Sequence, residues 1–159
     1  MSELRTNRIV PRDGLVSATG KGGGVIQVVE ASTTTTVSHT ANSYIDIGLS
    51  ATITPTRSDS KILIQGNIGG IETSADNNYG QGILLRDSTV IISTIDYGIG
   101  FTGDSTRAGT SSSFFILDAL ATASAITYKV QFKNAAGSGT ITTQTNTSRS
   151  AILLMEVSG

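Results

Sequence analysis

Alternation of apolar and polar residues constrains this chain more than any other feature of its sequence. Every second residue is apolar in Ile126 to Lys133 (ITYKVQFK), and the same period of two recurs in Leu49 to Pro55. Such a period is typical of a β-strand that has one face in a core and the other in water. We therefore expect one face of these two segments to be buried, formed by Leu49, Ala51, Ile53, Ile126, Tyr128, Val130 and Phe132.

Short strand signals of this kind recur from Val25 to the C-terminus, separated by turn residues. Asp87-Ser88 is a two-residue hairpin candidate, and the nearly continuous apolar run Ser113 to Ala119 predicts a strand that is buried on both faces. The further strand segments are Val25–Glu30, Lys61–Ile68, Ile83–Arg86, Thr89–Ser93, Thr140–Gln144 and Ala151–Val157. About nine or ten short strands at this spacing, rich in Thr and with 18 Gly, predict an all-β fold, an antiparallel, jelly-roll-like β-sandwich.

The N-terminal segment, residues 1–24, differs from the rest of the chain. It contains Arg5, Arg8, Arg12 and Lys21, it ends in a run of glycines, and it shows neither strand nor helix periodicity. This pattern predicts an extended N-terminal arm with a glycine hinge over residues 1–24, followed by a sandwich domain over residues 25–159. An edge strand followed by a loop is the alternative for the same segment.

Charge and composition exclude several classes of function. The formal net charge is −1, so the chain has no basic surface excess of the kind that binds nucleic acid. No run of about 20 apolar residues is present, so we expect no membrane insertion. With no Cys, the chain has no disulfide, no thiolate metal site and no Cys nucleophile.

Motifs for catalysis are absent or incomplete. The single histidine, His39, has no acid near it in sequence, and a hydrogen-bonded structural role is the more common one. Gly14 to Gly22 has the wrong spacing for a phosphate-binding loop, and Ser58 to Lys61 matches an S-x-x-K motif in a turn, not at the start of a helix. The carboxylates are scattered singly. We therefore predict a non-enzymatic protein with no catalytic residues, no cofactor and no bound metal.

Aromatic residues lie among Gly, Asn and Asp in segments that we expect to be loops. Tyr79, Tyr97 and Phe101 are the residues concerned. Loop aromatics can stack on sugars, so these three are candidate outward contacts with a host glycan. Capping of the core by the same side chains is the alternative.

The segment from Gly24 to the C-terminus resembles a module of tailed-bacteriophage and prophage structural proteins. The resemblance covers roughly four-fifths of the chain. Its motifs are Val25–Val29, Ser43–Pro55, Ser60–Ile64, Leu84–Ile91, Ile126–Gln131 and Leu154–Val157, and Leu4–Ile9 is similar to the start of many phage virion proteins. The resemblance implies a β-sandwich on a virion appendage, often trimeric. It supplies no functional residues that can be carried over.

This resemblance implies a virion structural protein, assembled in the host cytoplasm and placed on the particle surface. The sequence has no shaft, and the arm, even when fully extended, reaches only about 80 Å. We therefore expect a homotrimeric capsid decoration (cement) protein, whose arm residues Arg5, Arg8, Arg12 and Lys21 contact the major capsid protein or another virion protein. A tail-fibre or receptor-binding tip that contacts host glycan or protein is the main alternative. A bacterial carbohydrate-binding module and a hydrolase are the other two.

Overall fold

A computed structural model of the chain describes residues 24–101, 108–119 and 121–158, and of residues 94–101 and 108 only the backbone. Ten strands and one short 3-10 helix follow one another in this part of the chain. They are β1 (Val25–Thr33), β2 (Val37–His39), β3 (Ile45–Ile53), β4 (Lys61–Thr73), β5 (Tyr79–Arg86), β6 (Thr89–Phe101), β7 (Ala108–Ala119), β8 (Ile126–Asn134), β9 (Ile141–Thr143), the helix η1 (Thr145–Thr147) and β10 (Ser150–Val157). Within these ranges, no helix has the length and hydrophobicity that crossing a bilayer requires.

The strands form two antiparallel sheets that pack as a sandwich. In the six-stranded sheet, β4 pairs with β7 on one side and with β10 and β9 on the other, and β1 and β2 form the far edge. The four-stranded sheet has the order β3-β8-β5-β6. If β1 and β2 are counted together as strand 1, and β9 and β10 together as strand 8, these elements form eight strands numbered along the chain. In this numbering the six-stranded sheet has the order 1-8-3-6 and the four-stranded sheet has the order 2-7-4-5. This is the topology of a jelly roll, and it confirms the fold class predicted from the sequence.

The core lies between the two sheets and follows the alternation of the sequence. Leu49, Ala51 and Ile53 of β3 are buried, as are the four alternate apolar residues of β8, of which Tyr128 and Phe132 have no exposed surface. Each Leu, Ile, Val or Phe side chain of this set contributes roughly 1.5–3 kcal/mol by its removal from water. The inward faces predicted for β3 and β8 are therefore confirmed.

The Asp87-Ser88 turn joins β5 to β6 as predicted. Arg86 pairs with Thr89 across the turn, and Asp87 adopts a left-handed backbone with φ of 52°. The turn is tied to β8, because the Asp87 amide donates to the Thr127 carbonyl at 2.7 Å and the Thr127 amide donates to the Asp87 carboxylate at 3.0 Å.

The loop placement expected for Tyr79, Tyr97 and Phe101 is wrong. Tyr79 is the first residue of β5, and Tyr97 and Phe101 lie in β6, where Phe101 pairs with Tyr79. The pairing of β5 with β6 shifts register at Gly80 and Gly82. Irregularities of this kind allow glycine to remain within a strand, so glycine did not mark a loop here.

The predicted arm lies outside the described residues, together with Arg5, Arg8, Arg12 and Lys21. Its division from the sandwich at Gly24 therefore stays a prediction. The first described contact of the chain is a hydrogen bond from the Ser158 amide to the Gly24 carbonyl, at 3.2 Å, which joins the start of β1 to the end of β10.

Candidate functional site

The outer face of the six-stranded sheet carries an apolar row of side chains, although it does not face the core. Here "outer face" means the outward residues of β1, β10, β4 and β7, which alternate along each strand with the buried residues. A directly paired row crosses all four strands: Val28 of β1 is opposite Met155 of β10, Met155 is opposite Leu63 of β4, and Leu63 is opposite Leu117 of β7. An uninterrupted apolar row on an outward face is typical of a surface that binds a partner.

The next paired row of the outer face is mixed. It consists of Glu30, Leu153, Gln65 and Phe115, in the same strand order. These residues line an open groove of about 630 Å³ on this side of the sheet. The groove offers apolar walls together with amide and carboxylate groups.

Exposure on this face is high for such large apolar side chains. Phe115 is 67% exposed, Val28 55% and Leu117 49%. The prediction that Ser113 to Ala119 is buried on both faces is therefore wrong for the single chain: Phe114 and its alternate neighbours face the core, and no other described residue covers Phe115 or Leu117. In the part of the chain that the structure describes, β7 has the sequence of a strand buried on both sides but is covered on one side only.

Polar groups border the outer face at one end. Glu30 forms an ion pair with Arg149, and the Ser113 hydroxyl donates to the Asn67 side-chain carbonyl at 3.3 Å. Ser32 lies in the same polar row as Asn67 and Ser113. An apolar centre with a polar border is the usual anatomy of a protein–protein interface.

A second cluster of interest joins the two sheets at the end of the sandwich. The Asp118 carboxylate of β7 accepts hydrogen bonds from the Tyr128 hydroxyl of β8 at 2.8 Å and from Arg86 Nη1 of β5 at 2.9 and 3.1 Å. Burial of the Tyr128 ring, and then its bond to Asp118, raise the pKa of the phenol. All three groups are therefore used in holding the sheets together, beneath an open cleft of about 420 Å³ that Arg86 lines.

A buried carboxylate, Glu156, connects β10 to β1 and to the loop between β3 and β4. Its oxygens accept hydrogen bonds from Gln27 Nε2 at 2.6 Å and from the Thr56 amide and hydroxyl at 2.8 Å. Burial on its own would raise the pKa of Glu156, but the hydrogen bonds from its neighbours outweigh it and lower the pKa to about 2. The group stays ionised and serves as a structural acceptor.

The single histidine also has structural partners. His39 Nε2 lies 2.8 Å from the Ser43 carbonyl oxygen and 3.2 Å from the Ser43 hydroxyl, and the ring meets Phe132 edge-on at 6.1 Å. These contacts match the hydrogen-bonded role that the sequence favoured. Within the described ranges, no three His, Asp or Glu side chains are grouped as metal ligands.

The residues proposed from the sequence and the site found in the structure do not coincide. Tyr79 is half-buried, and its carbonyl accepts from the amides of Ala135 and Ala136 at 3.0 and 3.4 Å. The side chains of Tyr97 and Phe101, like the four arm cations, lie outside what the structure describes. A glycan contact through the three aromatics and a capsid contact through the arm therefore stay predictions.

The outer face was missed at the sequence level, although its signal was present. In Ser113 to Ala119 and in Ala151 to Val157, both alternating sets of residues are largely apolar. We interpreted the first run as burial on both faces, which requires a second layer that the described residues do not provide. Only the pairing of β1, β10, β4 and β7 shows that these apolar sets form one surface.

Comparison with known proteins shows the fold. No protein-family model matches the chain, and no curated protein matches it. Among solved structures, the infectious bursal disease virus VP2 subviral particle is similar, with a TM-score of 0.53 and 14% identity over 84% of this chain. A structure of the Gx strain of infectious bursal disease virus aligns with a TM-score of 0.48 and 14% identity over 85% of this chain. The chain spans 33% of the length of the aligned chain in each of these two structures.

These similarities concern architecture only. At 14% identity, the match with the VP2 subviral particle shows that the chain has a β-sandwich of the type found in a viral capsid protein. The likeness to this capsid protein is thus one of fold.

Proposed function

We propose that the chain is a structural protein of a tailed-bacteriophage virion, a homotrimeric capsid decoration protein on the head surface. The main support is the combination of a jelly roll of viral capsid type with a broad apolar outer face. Jelly rolls also occur in lectins and enzymes, so the fold alone does not select this function. The resemblance of the sequence to phage structural modules adds the tailed-phage part of the proposal.

A structural rather than an enzymatic role is supported by how the polar side chains are used. Asp118, Glu156 and His39 each bond to groups on neighbouring strands or loops. Catalytic groups need access to substrate, whereas these side chains hold the sandwich together. The chemistry of the described residues is that of a stable scaffold.

Attachment to the particle is assigned to the arm in this proposal. Arg5, Arg8, Arg12 and Lys21 give residues 1–24 a cationic character, and such a segment can bind acidic patches of capsid subunits. Ordering of an extended segment on binding couples affinity to assembly of the shell. The sandwich would then face outward.

Immunogold electron microscopy tests the location. Antibodies raised against the full-length chain are applied to particles of the virus that encodes it. We expect label distributed over the head. Label confined to the tail tip would contradict decoration and favour a receptor-binding tip, whereas particles without label would overturn a role in the virion.

Cosedimentation with the same heads tests the arm. Deletion of residues 1–20 is expected to abolish binding while the circular dichroism spectrum of the sandwich is retained. The triple variant Arg5→Gln, Arg8→Gln, Arg12→Gln should weaken binding, most strongly at low salt. Arg57→Gln is the matched control, because Arg57 is exposed on the sandwich and pairs with Asp59. Equal binding by the wild type and the deletion variant would overturn the assignment of the arm.

A further inference from the structure

We propose that the outer face of the six-stranded sheet is the trimerisation surface, and that three copies turn this face toward a common threefold axis. This inference rests on the homotrimer in the proposed function and goes beyond it by assigning the surface. It does not depend on where in a virion the trimer lies.

The apolar row identifies the chemistry of the occupant. Val28, Met155, Leu63 and Leu117 extend from one edge strand to the other. The side chains with the largest exposed fractions are at the two edges, in β1 and β7. A second apolar surface of the same width is needed to cover the row, and another copy of the same face provides one.

The distribution of charge also favours self-association. Among the outward residues described for these four strands, the charged ones are Glu30, Lys61 and Glu72. Glu30 and Lys61 lie in the rows on either side of the apolar row, and Glu72 lies near the far end of β4, opposite Gly109. Glu30 already pairs with Arg149. Three such faces can therefore approach one another without placing like charges together at the centre, whereas an anionic polymer would find little to bind.

The width of the face suits a threefold arrangement. Four neighbouring strands at about 4.8 Å spacing give a face roughly 19 Å wide. Three faces of this width, arranged as a triangular prism, each lie about 5.5 Å from the axis by simple geometry. Packed sheets lie about 10 Å apart, so half of that spacing, about 5 Å, is the distance that side chains fill. The side chains of a four-stranded face can therefore fill the centre of the prism.

The area of the face agrees with a stable association. Outward residues along one strand lie about 6.8 Å apart. Four rows at this spacing, across the face of roughly 19 Å width, cover roughly 500 Å² of flat sheet per copy. A standard interface buries about 800 Å² per partner, and side-chain relief makes the accessible area larger than the flat one.

The threefold geometry makes a specific prediction about contacts. At each corner of the prism, the β1 edge of one copy meets the β7 edge of the next, so Val28 approaches Leu117 of a neighbour. Leu63 and Met155, on the two inner strands, point toward the axis. The edges of the sheet are thereby covered, which also protects them from uncontrolled strand pairing.

Substitution with aspartate tests the assignment of the face. Leu117→Asp places a charge in the apolar row, and light scattering after size exclusion is expected to change from the mass of three 16.4 kDa chains to that of one. Val90→Asp is the matched control, because Val90 is 44% exposed on the other sheet, and it should remain a trimer. Circular dichroism and thermal melting establish that both variants fold.

Cysteine cross-linking tests the geometry without a destabilising charge. The chain has no native Cys, so Val28→Cys, Leu117→Cys introduces the only two thiols. Within one copy these positions are three strands apart, about 14 Å, which is too far for a disulfide. Oxidation should produce covalent dimers and trimers on a non-reducing gel and nothing larger. The control Val90→Cys, Leu117→Cys should stay largely monomeric on the same gel.

The outcomes separate this inference from the proposed function. A trimer that persists in Leu117→Asp, or that gives no cross-link, overturns the assignment of the face and leaves a homotrimer at another surface. A wild-type dimer overturns the threefold arrangement. A wild-type monomer overturns both the trimer and the face, whereas location in the virion is decided separately by immunogold labelling.

Discussion

At the scale of single residues, buried polar groups fix how the elements of this sandwich meet. Glu156 holds a loop and two strands through one carboxylate, and Asp118 holds three strands from both sheets. Buried charges are stable only when they are hydrogen-bonded, so the loss of either carboxylate should be costly.

Glu156 makes the stability of the fold depend on acid. Its pKa is about 2 in the folded chain and 4.5 ordinarily, so its contribution is complete above pH 4.5 and is lost as the pH falls toward 2. Glu156→Gln should therefore be less stable than the wild type at pH 7, and the difference should shrink between pH 4.5 and 2. Urea unfolding at several pH values measures this difference. A gap that stays constant over that range would contradict the role of the ionised carboxylate.

Asp118 contributes as the shared acceptor of the cluster between the sheets. Asp118→Asn removes the charge that Arg86 and Tyr128 bond to, and we expect a loss of about 1.5–3 kcal/mol in the free energy of unfolding. Tyr128→Phe should cost less, because it leaves the ion pair of Arg86 with Asp118 in place. Chemical denaturation measures both losses.

The exposed pair Arg57 and Asp59 provides the control for Asp118. These two side chains are 65% and 56% exposed, and substitution of Asp59 by Asn should leave stability unchanged within error. Equal effects of Asp59→Asn and Asp118→Asn would show that the cluster does not join the sheets.

At the scale of elements, β4 depends on a glycine at the point where its partner changes. The strand pairs with β10 along Lys61 to Asn67 and with β9 at Glu72 and Thr73. Between them, Gly70 has a φ of +58°, and a Cβ there would lie 2.6 Å from Ser148 Cβ and 2.8 Å from the Thr145 amide nitrogen. Only glycine meets both conditions.

Gly70→Ala should therefore destabilise the sandwich through two effects, left-handed strain and close contact. Gly137→Ala is the matched control, since Gly137 has a φ of +73° and no atom lies within 4 Å of the place that its added methyl group would take. We expect about 1 kcal/mol for Gly137→Ala from strain alone and a clearly larger loss for Gly70→Ala. Equal losses in thermal or urea unfolding would mean that Ser148 and Thr145 do not pack tightly against Gly70.

Local patterns in the sequence predicted individual strands well. The alternation in β3 and β8 placed Leu49, Ala51, Ile53 and Phe132 correctly in the core, because burial of one face imposes a period of two. The turn at Asp87 was equally local. Phe101 was assigned to a loop because register shifts that tolerate glycine in β5 and β6 depend on the partner strand, which the sequence does not reveal.

The candidate site was hidden for the same reason. Val28, Leu63, Leu117 and Met155 are far apart in sequence and form a row only through the pairing of four strands. The acceptor role of Glu156 likewise depends on Gln27 and Thr56, which are brought to it by the fold. Sequence periodicity marks which residues are apolar, but not which surface they build together.

At the scale of the whole molecule, the chain is a jelly roll in which one sheet has an apolar inner face and an apolar row across its outer face. The inner face is covered by the four-stranded sheet, and no described residue covers the large side chains of the outer face. The hydrophobic effect favours removal of that surface from water, at about 25 cal/mol per Å². We therefore expect a subunit whose fold is completed by other copies of itself.

The mass of the purified full-length protein in solution, measured by light scattering during size exclusion, tests this claim most directly. We predict three times 16.4 kDa, unchanged on dilution through the micromolar range. A mass of 16.4 kDa at all concentrations would contradict the claim, because no other copy would then cover Phe115 and Leu117, which no described residue of the chain covers.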